Sequence, residues 1–333
     1  MTVKVAINGF GRIGRNVLRG IVESGRTDIE VVAINDLGPV ETNTHLLRFD
    51  SVHGRYPGEV TTGEDWIDVG RGAIKVTAIS GPKQLPWAGV DIALECTGLY
   101  TDRDKAATHL ENGSKRVLVS APSTGSEKTI VFGVNEETLS SGDLVVSNAS
   151  CTTNCLSPVA KVLNEAVGIV RGFMTTIHSY TGDQPTLDVM RHDLYRSRAA
   201  GLSMIPTSTG AAKAVGLVLP EMAGKLDGVA IRVPTPNVSV VDLVFEAAKD
   251  TTVEEVNAAI RAAADGPMKG ILGYTDQPNV SMDFNHDPHS SIFHMDQTKV
   301  MDGRMVRILS WYDNEWGFSN RMADTAVAMG ALI

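Results

Sequence analysis

VKVAINGFGRIG, residues 3–14, is the stretch on which the fold of the first half of the chain turns. Its opening residues alternate and then become continuously apolar, as a buried parallel strand does. Gly9-Phe10-Gly11-Arg12-Ile13-Gly14 follows without a break and matches G-x-G-x-x-G, and beyond it Ile13, Val17, Leu18, Ile21 and Val22 share one helical face. A glycine-rich turn alone says little; between a strand and a helix it is specific. The glycines permit a tight turn and close backbone approach, and the helix N-terminus offers N–H groups to a pyrophosphate. The next strand pattern, EVVAIND, ends at Asp36, about 20 residues beyond the turn, where a ribose-binding carboxylate belongs. An acid there accepts from both ribose hydroxyls and repels a 2′-phosphate, which favours NAD over NADP.

Working outward, GVDIALECTG (89–98) reads as a buried strand ending at Thr97-Gly98, and RVLVS (116–120) as another ending at Ser120. Ligands of open α/β sheets sit beyond the carboxyl ends of the strands. Thr97, Gly98 and Ser120 therefore join Gly9, Gly11, Arg12, Ile13, Gly14 and Asp36 as cofactor-binding candidates, on the nicotinamide side. Short runs between 59 and 79 read as antiparallel hairpins decorating the sheet. The expected fold class is α/β, a Rossmann-type doubly wound parallel sheet, followed by an α+β catalytic domain.

The second informative stretch is SNASCTTNC, 147–155. A strand-like run climbs into a polar turn, and a helix is expected from about Thr152 through Leu163, with cap-type residues Ser147, Asn148 and Ser150 before it. Unpaired N–H groups and the positive end of the macrodipole favour thiolate at Cys151. A lone cysteine among small residues is most often a small buried hydrophobe, so the reading of Cys151 as a nucleophile rests on the partners it finds. His178 ends the strand pattern VRGFMTTIH (170–178), and Cys with His forms a nucleophile–base pair. A polar segment from Ser179 to about Ser203 is too long for an ordinary connection and contains Thr181, Asp183, Arg191, Arg196 and Arg198. Arginine suits phosphate, so Arg196 and Arg232, with Thr181 and Thr209-Gly210, are counted together as anion sites. Strand patterns at 229–235, 239–248, 281–285 and 306–314 interleave with helices near 210–219 and 252–264, which suggests a mixed, largely antiparallel sheet.

Composition bounds the rest. A chain of 333 residues suits two domains; the expected division is 1–150 and 151–314, with a helix at 315–333 packing back on the first. The net charge of −9 disfavours nucleic acid as a primary partner and disfavours a membrane surface. Three cysteines, Cys96, Cys151 and Cys155, cannot form a disulfide framework, and no nearby ligands complete a zinc set, so no metal is expected. The N-terminus runs straight into a strand pattern with no signal-peptide character. The expected location is the cytoplasm.

The motifs AINGFGRIGR, AIND at 33–36, SNASCTTNC, HSYTGDQ at 178–184, PTSTGAAKAVG at 206–216, RVPTPNVSVVDL at 232–243 and WYDNEWGFSNR at 311–321 occur in order. With them the chain resembles the phosphorylating, NAD-dependent glyceraldehyde-3-phosphate dehydrogenases of bacterial type over essentially its whole length. The resemblance implies a catalytic thiol at Cys151 and a base at His178. It places the phosphate of glyceraldehyde 3-phosphate on Thr181 and Arg232 with Asp183 close by, and inorganic phosphate on Ser150, Thr152, Arg196, Thr209 and Gly210. Asn314 would fix the nicotinamide carboxamide, and the Ser179–Ser203 segment would reach a neighbouring subunit in a homotetramer. Phe318 stands where many members carry tyrosine. Residues 284–290, FNHDPHS, read more like erythrose-4-phosphate dehydrogenases, while the 181–204 loop, which bears the anion-binding residues, reads like the glyceraldehyde-phosphate enzymes. A thiol redox sensor, with Cys151 oxidised or bridged to Cys155, would need neither His178 nor the arginines.

Overall fold

The computed structural model describes residues 2–333. It divides into two compact units, Met1–Ala149 with Ser319–Ile333, and Ser150–Phe318.

The first unit is built on a nine-stranded sheet. Seven strands run parallel, in the order Lys128–Thr129, Val145–Ser147, Arg116–Val119, Ile92–Glu95, Val3–Asn8, Ile29–Asn35 and Ala73–Thr77. The run at 59–79 does more than decorate: Ala73–Thr77 joins the parallel sheet beside Ile29–Asn35, and Trp66–Asp68 and Thr61–Thr62 extend it antiparallel. Val3–Asn8 lies between the strand that follows it in sequence and one that comes much later, so the order reverses there. This is the switch point at which such sheets open a crevice. The helix Arg12–Glu23 buries Val17, Leu18 and Ile21 with Ile7 and Ile34; each such side chain contributes about 1.5–3 kcal/mol on removal from water. Within this unit the last helix is tied down by Thr325, whose hydroxyl donates to Asn148 Oδ1 at 2.8 Å, and by Asp324, which pairs with Arg321 and Arg26.

The second unit carries an eight-stranded mixed sheet with Ile205–Ser208, Leu226–Val233, Ile169–Ser179, Ser239–Ala247, Met305–Tyr312, Ser291–His294 and Leu272–Thr275 in order, and Lys299–Met301 beside Met305–Tyr312. Only two neighbouring pairs are parallel, Ile169–Ser179 with Leu226–Val233 and Leu272–Thr275 with Ser291–His294. Helix Cys151–Ala166 covers the sheet with Cys155, Leu156 and Val159 buried. One expected strand is not one: Ser281–Phe284 forms a 3-10 turn. Asp283 Oδ2 accepts from the Val280 N–H at 2.7 Å, and such local side-chain bonding competes with a sheet ladder.

Candidate active site

Ala149 sits at φ +58, a left-handed conformation unusual for a side-chain-bearing residue, directly before the cap of the cysteine helix. Ser150 caps that helix, its hydroxyl accepting from the Thr153 N–H at 3.1 Å. The helix therefore begins at Cys151 itself, one residue earlier than its pattern suggests. Cys151 Sγ lies 3.5 Å from His178 Nε2. His178 is delivered by the penultimate position of the Ile169–Ser179 strand, and register places Arg232 directly beside it on the parallel neighbour.

Ser179 fixes the imidazole. Its carbonyl oxygen lies 2.7 Å from His178 Nδ1 and can only accept, so the tautomer with the proton on Nδ1 satisfies this shorter contact, with Arg232 Nη1 also 3.0 Å from the same nitrogen. Nε2 is left with its lone pair towards the thiol. Arg232 Nη1 donates to the same carbonyl and to Thr181 Oγ1, both at 3.0 Å. The Tyr312 ring meets His178 edge-on, and its hydroxyl bonds Thr152 Oγ1 at 2.8 Å and Thr176 Oγ1 at 2.9 Å.

Burial opposes the thiolate that the helix terminus favours. Burial pushes the Cys151 thiol above its ordinary value, against the pull of Arg232 and of the Thr152 and Cys151 N–H groups. Burial, reinforced by Arg232, holds His178 down to about 3. Burial thus favours the uncharged form of each partner and works against the helix terminus.

The anion candidates form a chain. Thr181 bridges Arg232 to Asp183, and Asp183 Oδ2 pairs with Arg196 Nη1 at 3.3 Å. Arg196 Nε also donates to Thr207 at 3.0 Å. Arg232 Nε is buried with no partner among the described residues, a donor waiting for an acceptor. Thr209 and Gly210 stand at the start of helix Ala211–Val218, where Thr209 Oγ1 accepts from the Ala211 N–H and Gly210 caps without a side chain. The hydroxyls of Ser150 and Thr152 are engaged within the fold, on Thr153 and Tyr312. Asn314 Oδ1 accepts from the hydroxyls of Ser179 and Ser239, both at 2.8 Å, which leaves its –NH2 to donate.

In the first unit, a cleft of about 420 Å³ opens at the carboxyl ends of the strands, lined by Gly9, Gly11, Asp36 and Thr97 together with Asn8, Asn35, Cys96 and Leu99. Arg12, Ile13, Gly14, Gly98 and Ser120 do not line it. Arg12 is paired with Asp50 at 2.5 Å; Ile13 and Gly14 belong to the helix first turn; Ser120 ends the neighbouring strand, its N–H on the Glu95 carbonyl. Gly98, at φ +72, takes the turn after Thr97. Asp36 organises the glycine turn, accepting from the Phe10 N–H at 2.7 Å and the Gly38 N–H at 3.0 Å. Sequence reading missed Glu95, whose carboxylate is buried beneath the cleft and accepts from Asn8, His109 and Thr97. Its only sequence signal is an acid closing an otherwise apolar strand.

The cleft suits a dinucleotide. No side chain caps helix Arg12–Glu23, whose N-terminus suits an anion, and a Cβ at Gly11 would stand in open space. A Cβ at Gly9 would lie 2.7 Å from Thr97 N, and one at Gly14 would collide with the Gly9 carbonyl oxygen. Gly11→Ala is therefore expected to weaken NAD binding roughly tenfold or more while the melting temperature stays within a few degrees. Gly14→Ala is expected to cost about 3 kcal/mol of stability as well. Cofactor titration and thermal melts of the two variants check the contrast.

Two family models match the chain: the glyceraldehyde 3-phosphate dehydrogenase NAD binding domain over residues 3–103 and the C-terminal domain of the same family over residues 150–314. The chain is 81% identical over 333 residues to a glyceraldehyde-3-phosphate dehydrogenase of Cereibacter sphaeroides and 75% identical over 334 residues to that of Xanthobacter flavus, covering 100% of each partner and of itself. Against the enzyme of Geobacillus stearothermophilus the identity is 56%, over 98% of both chains.

Proposed function

Because the chain belongs to the glyceraldehyde 3-phosphate dehydrogenase family, we propose that Cys151 and His178 carry its reaction, the NAD-dependent oxidation of glyceraldehyde 3-phosphate to an acyl phosphate with uptake of phosphate. The observation that carries this reading is the 3.5 Å thiol–imidazole contact beside the unpartnered Nε–H of Arg232.

The steps follow from the tautomer. The Cys151 proton passes to His178 Nε2 as Sγ attacks the aldehyde carbon, and its return to the new oxyanion completes a thiohemiacetal. The Cys151 N–H and the Nε2–H stabilise that oxyanion as it forms. Nε2 then takes the hydroxyl proton as general base while the carbon is oxidised, leaving a thioester on Cys151. NAD, when bound by the Gly9–Gly14 turn and Asp36, supplies the two-electron acceptor. Inorganic phosphate attacks the thioester carbon, the Cys151–carbon bond breaks, and Nε2–H returns the proton to sulfur. Arg232 and Thr181, with Asp183 orienting Thr181, would hold the substrate phosphate. Arg196, Thr209, Gly210 and the Ser150–Thr152 turn would receive the inorganic one. Asn314 would offer its –NH2 to the nicotinamide carboxamide.

Absorbance of NADH tests the scheme. With NAD and glyceraldehyde 3-phosphate, turnover is expected to continue only when phosphate or arsenate is present. Without the anion, a burst of one NADH per site should stop at the thioester. Continued turnover without the anion would mean that water, not phosphate, cleaves it, and would refute the second anion site.

We also propose a homotetramer in the cytoplasm. Phe173 and its cross-strand partner Val244 are exposed on the open sheet face, with Met301 and Met305 nearby in the same unit. The 180–204 segment exposes Leu187, Met190, Leu194 and Leu202. Apolar surface on this scale fits subunit contact. The three cysteines are free, which suits a reducing compartment, and no helix is long and apolar enough to cross a membrane among the described residues.

A further inference from the structure

The parallel strands that meet at the cleft of the first unit end on polar residues. Glu95, Asn8, Asn35 and Thr77 close the strands Ile92–Glu95, Val3–Asn8, Ile29–Asn35 and Ala73–Thr77, and register sets each beside the next. Residues in register on neighbouring strands point to the same face, about 4.8 Å apart, and here their side chains join. Thr77 Oγ1 donates to Asn35 Oδ1 at 2.9 Å, Asn35 Nδ2 to Asn8 Oδ1 at 2.9 Å, and Asn8 Nδ2 to Glu95 Oε2 at 2.7 Å. Asn8, Asn35 and Glu95 are buried.

A second run reaches Glu95 from its other side. Trp87 Nε1 can only donate, and it lies 2.9 Å from His109 Nδ1; His109 therefore carries its proton on Nε2 and donates from there to Glu95 Oε2 at 2.9 Å. Every bond of both runs points towards the carboxylate. Each end of the belt also catches one rim of the cleft by its backbone. Glu95 Oε1 accepts from the Thr97 N–H at 2.8 Å and from the Thr97 hydroxyl. Asn35 pairs twice with Ile79, its Oδ1 accepting from the N–H at 2.9 Å and its Nδ2 donating to the carbonyl at 3.1 Å. Thr97 and Ile79 both line the cleft.

We infer that Glu95, Asn8 and Asn35 form a belt across the strand ends that spaces the two rims of the NAD cleft, with Glu95 and Asn35 as the positioning residues at its ends. The belt needs a carboxylate at 95. A glutamine there would turn its –NH2 either to the Thr97 N–H or to the His109 Nε2–H that the indole pins, and neither donor can reverse. The inference rests on the reading of this cleft as the NAD site.

Amide hydrogen exchange without cofactor, followed by NAD titration, tests the belt on the intact enzyme. Glu95→Gln is expected to speed exchange about tenfold at the Thr97 N–H and also at the distant Ile79 N–H, because an Asn8 amide reversed to suit the new –NH2 sets its own against that of Asn35. The N–H of buried Val146, on a strand away from the belt, should exchange as in the parent. NAD affinity is expected to fall about tenfold, the effect of one buried donor left unsatisfied. Should Glu95→Gln not fold, Asn8→Ser, which cuts the belt between its ends and keeps the carboxylate, carries the same expectations. Faster exchange at Thr97 alone, or equal acceleration at Val146, would overturn the belt. Unchanged NAD affinity in a variant with both rims loosened, while Gly11→Ala weakens NAD, would overturn its role in spacing the cleft. Gly11→Ala binding NAD like the parent would overturn the reading of the cleft, and the role of the belt with it.

Discussion

Cys151→Ser is expected to lower turnover by roughly 10⁴-fold or more while leaving NAD affinity and the melting temperature near their original values. Three features of the site set that size. His178, held down to about 3, is a weak base, adequate for a thiol but poorly matched to a serine hydroxyl, whose proton is far harder to remove. The second half-reaction suffers as well, because an oxyester resists phosphate where a thioester yields to it. Nothing in the surroundings compensates: Sγ stands 3.5 Å from Nε2, a separation that a shorter C–O bond would lengthen. The fold has little stake in the sulfur, since the cap of the helix is Ser150 and the cysteine packed in the core beneath it is Cys155. Steady-state NADH production, cofactor titration and a thermal melt together check the prediction. Turnover within tenfold of the parent would remove Cys151 from the mechanism.

His178→Asn should lower kcat by about 10²–10⁴-fold. An asparagine amide can still donate to the Ser179 carbonyl from near the Nδ1 position, so the strand end is preserved, but nothing replaces Nε2. The residual rate should climb with pH, because thiolate must now form by ionisation of a thiol that burial has pushed upward. Acid stability gives an independent reading. In the folded state His178 protonates near 3 rather than at its ordinary 6.5, so between those values the unfolded chain binds more protons. Stability from this group is therefore complete above about pH 6.5 and is lost as pH falls towards 3, at up to about 1.4 kcal/mol per pH unit. Urea midpoints from pH 7 to pH 4 should fall less steeply in the variant than in the parent. Equal slopes would mean that the imidazole is not held neutral.

The sequence exposed those parts of the molecule in which chemistry and chain order coincide. The glycine turn between Val3–Asn8 and Arg12–Glu23 is local, and so is the Ser150 cap ahead of Cys151; both are written in consecutive residues. His178 was found because a strand pattern stops there. Its neighbours were beyond such reading. Arg232 reaches His178 only through the pairing of two strands, and Tyr312 reaches the ring from a third. The strand Ser291–His294 is four residues long and Ile205–Ser208 begins with Ile-Pro, so neither offers enough alternation to stand out from a loop. SMDFN alternates like a strand and still forms a turn, because Asp283 captures a backbone N–H. The burial of the thiol lies outside such reading for a similar reason. A helix N-terminus can be seen in a sequence, whereas the depth at which the tertiary fold buries it cannot.

The carbonyl of Ser179 serves both the base and the arginine, and this couples two events that a list of roles would keep apart. After burial, the charge of Arg232 is the next cause of the weakness of His178. A dianionic phosphate resting on Arg232, as proposed, offsets that charge and raises the basicity of the imidazole. An aldehyde that lacks the phosphate can visit Cys151 and depart without meeting a competent proton acceptor. Discrimination between substrates is then exercised in the rate of reaction and not in residence alone, and the remote end of the molecule licenses chemistry at the near end.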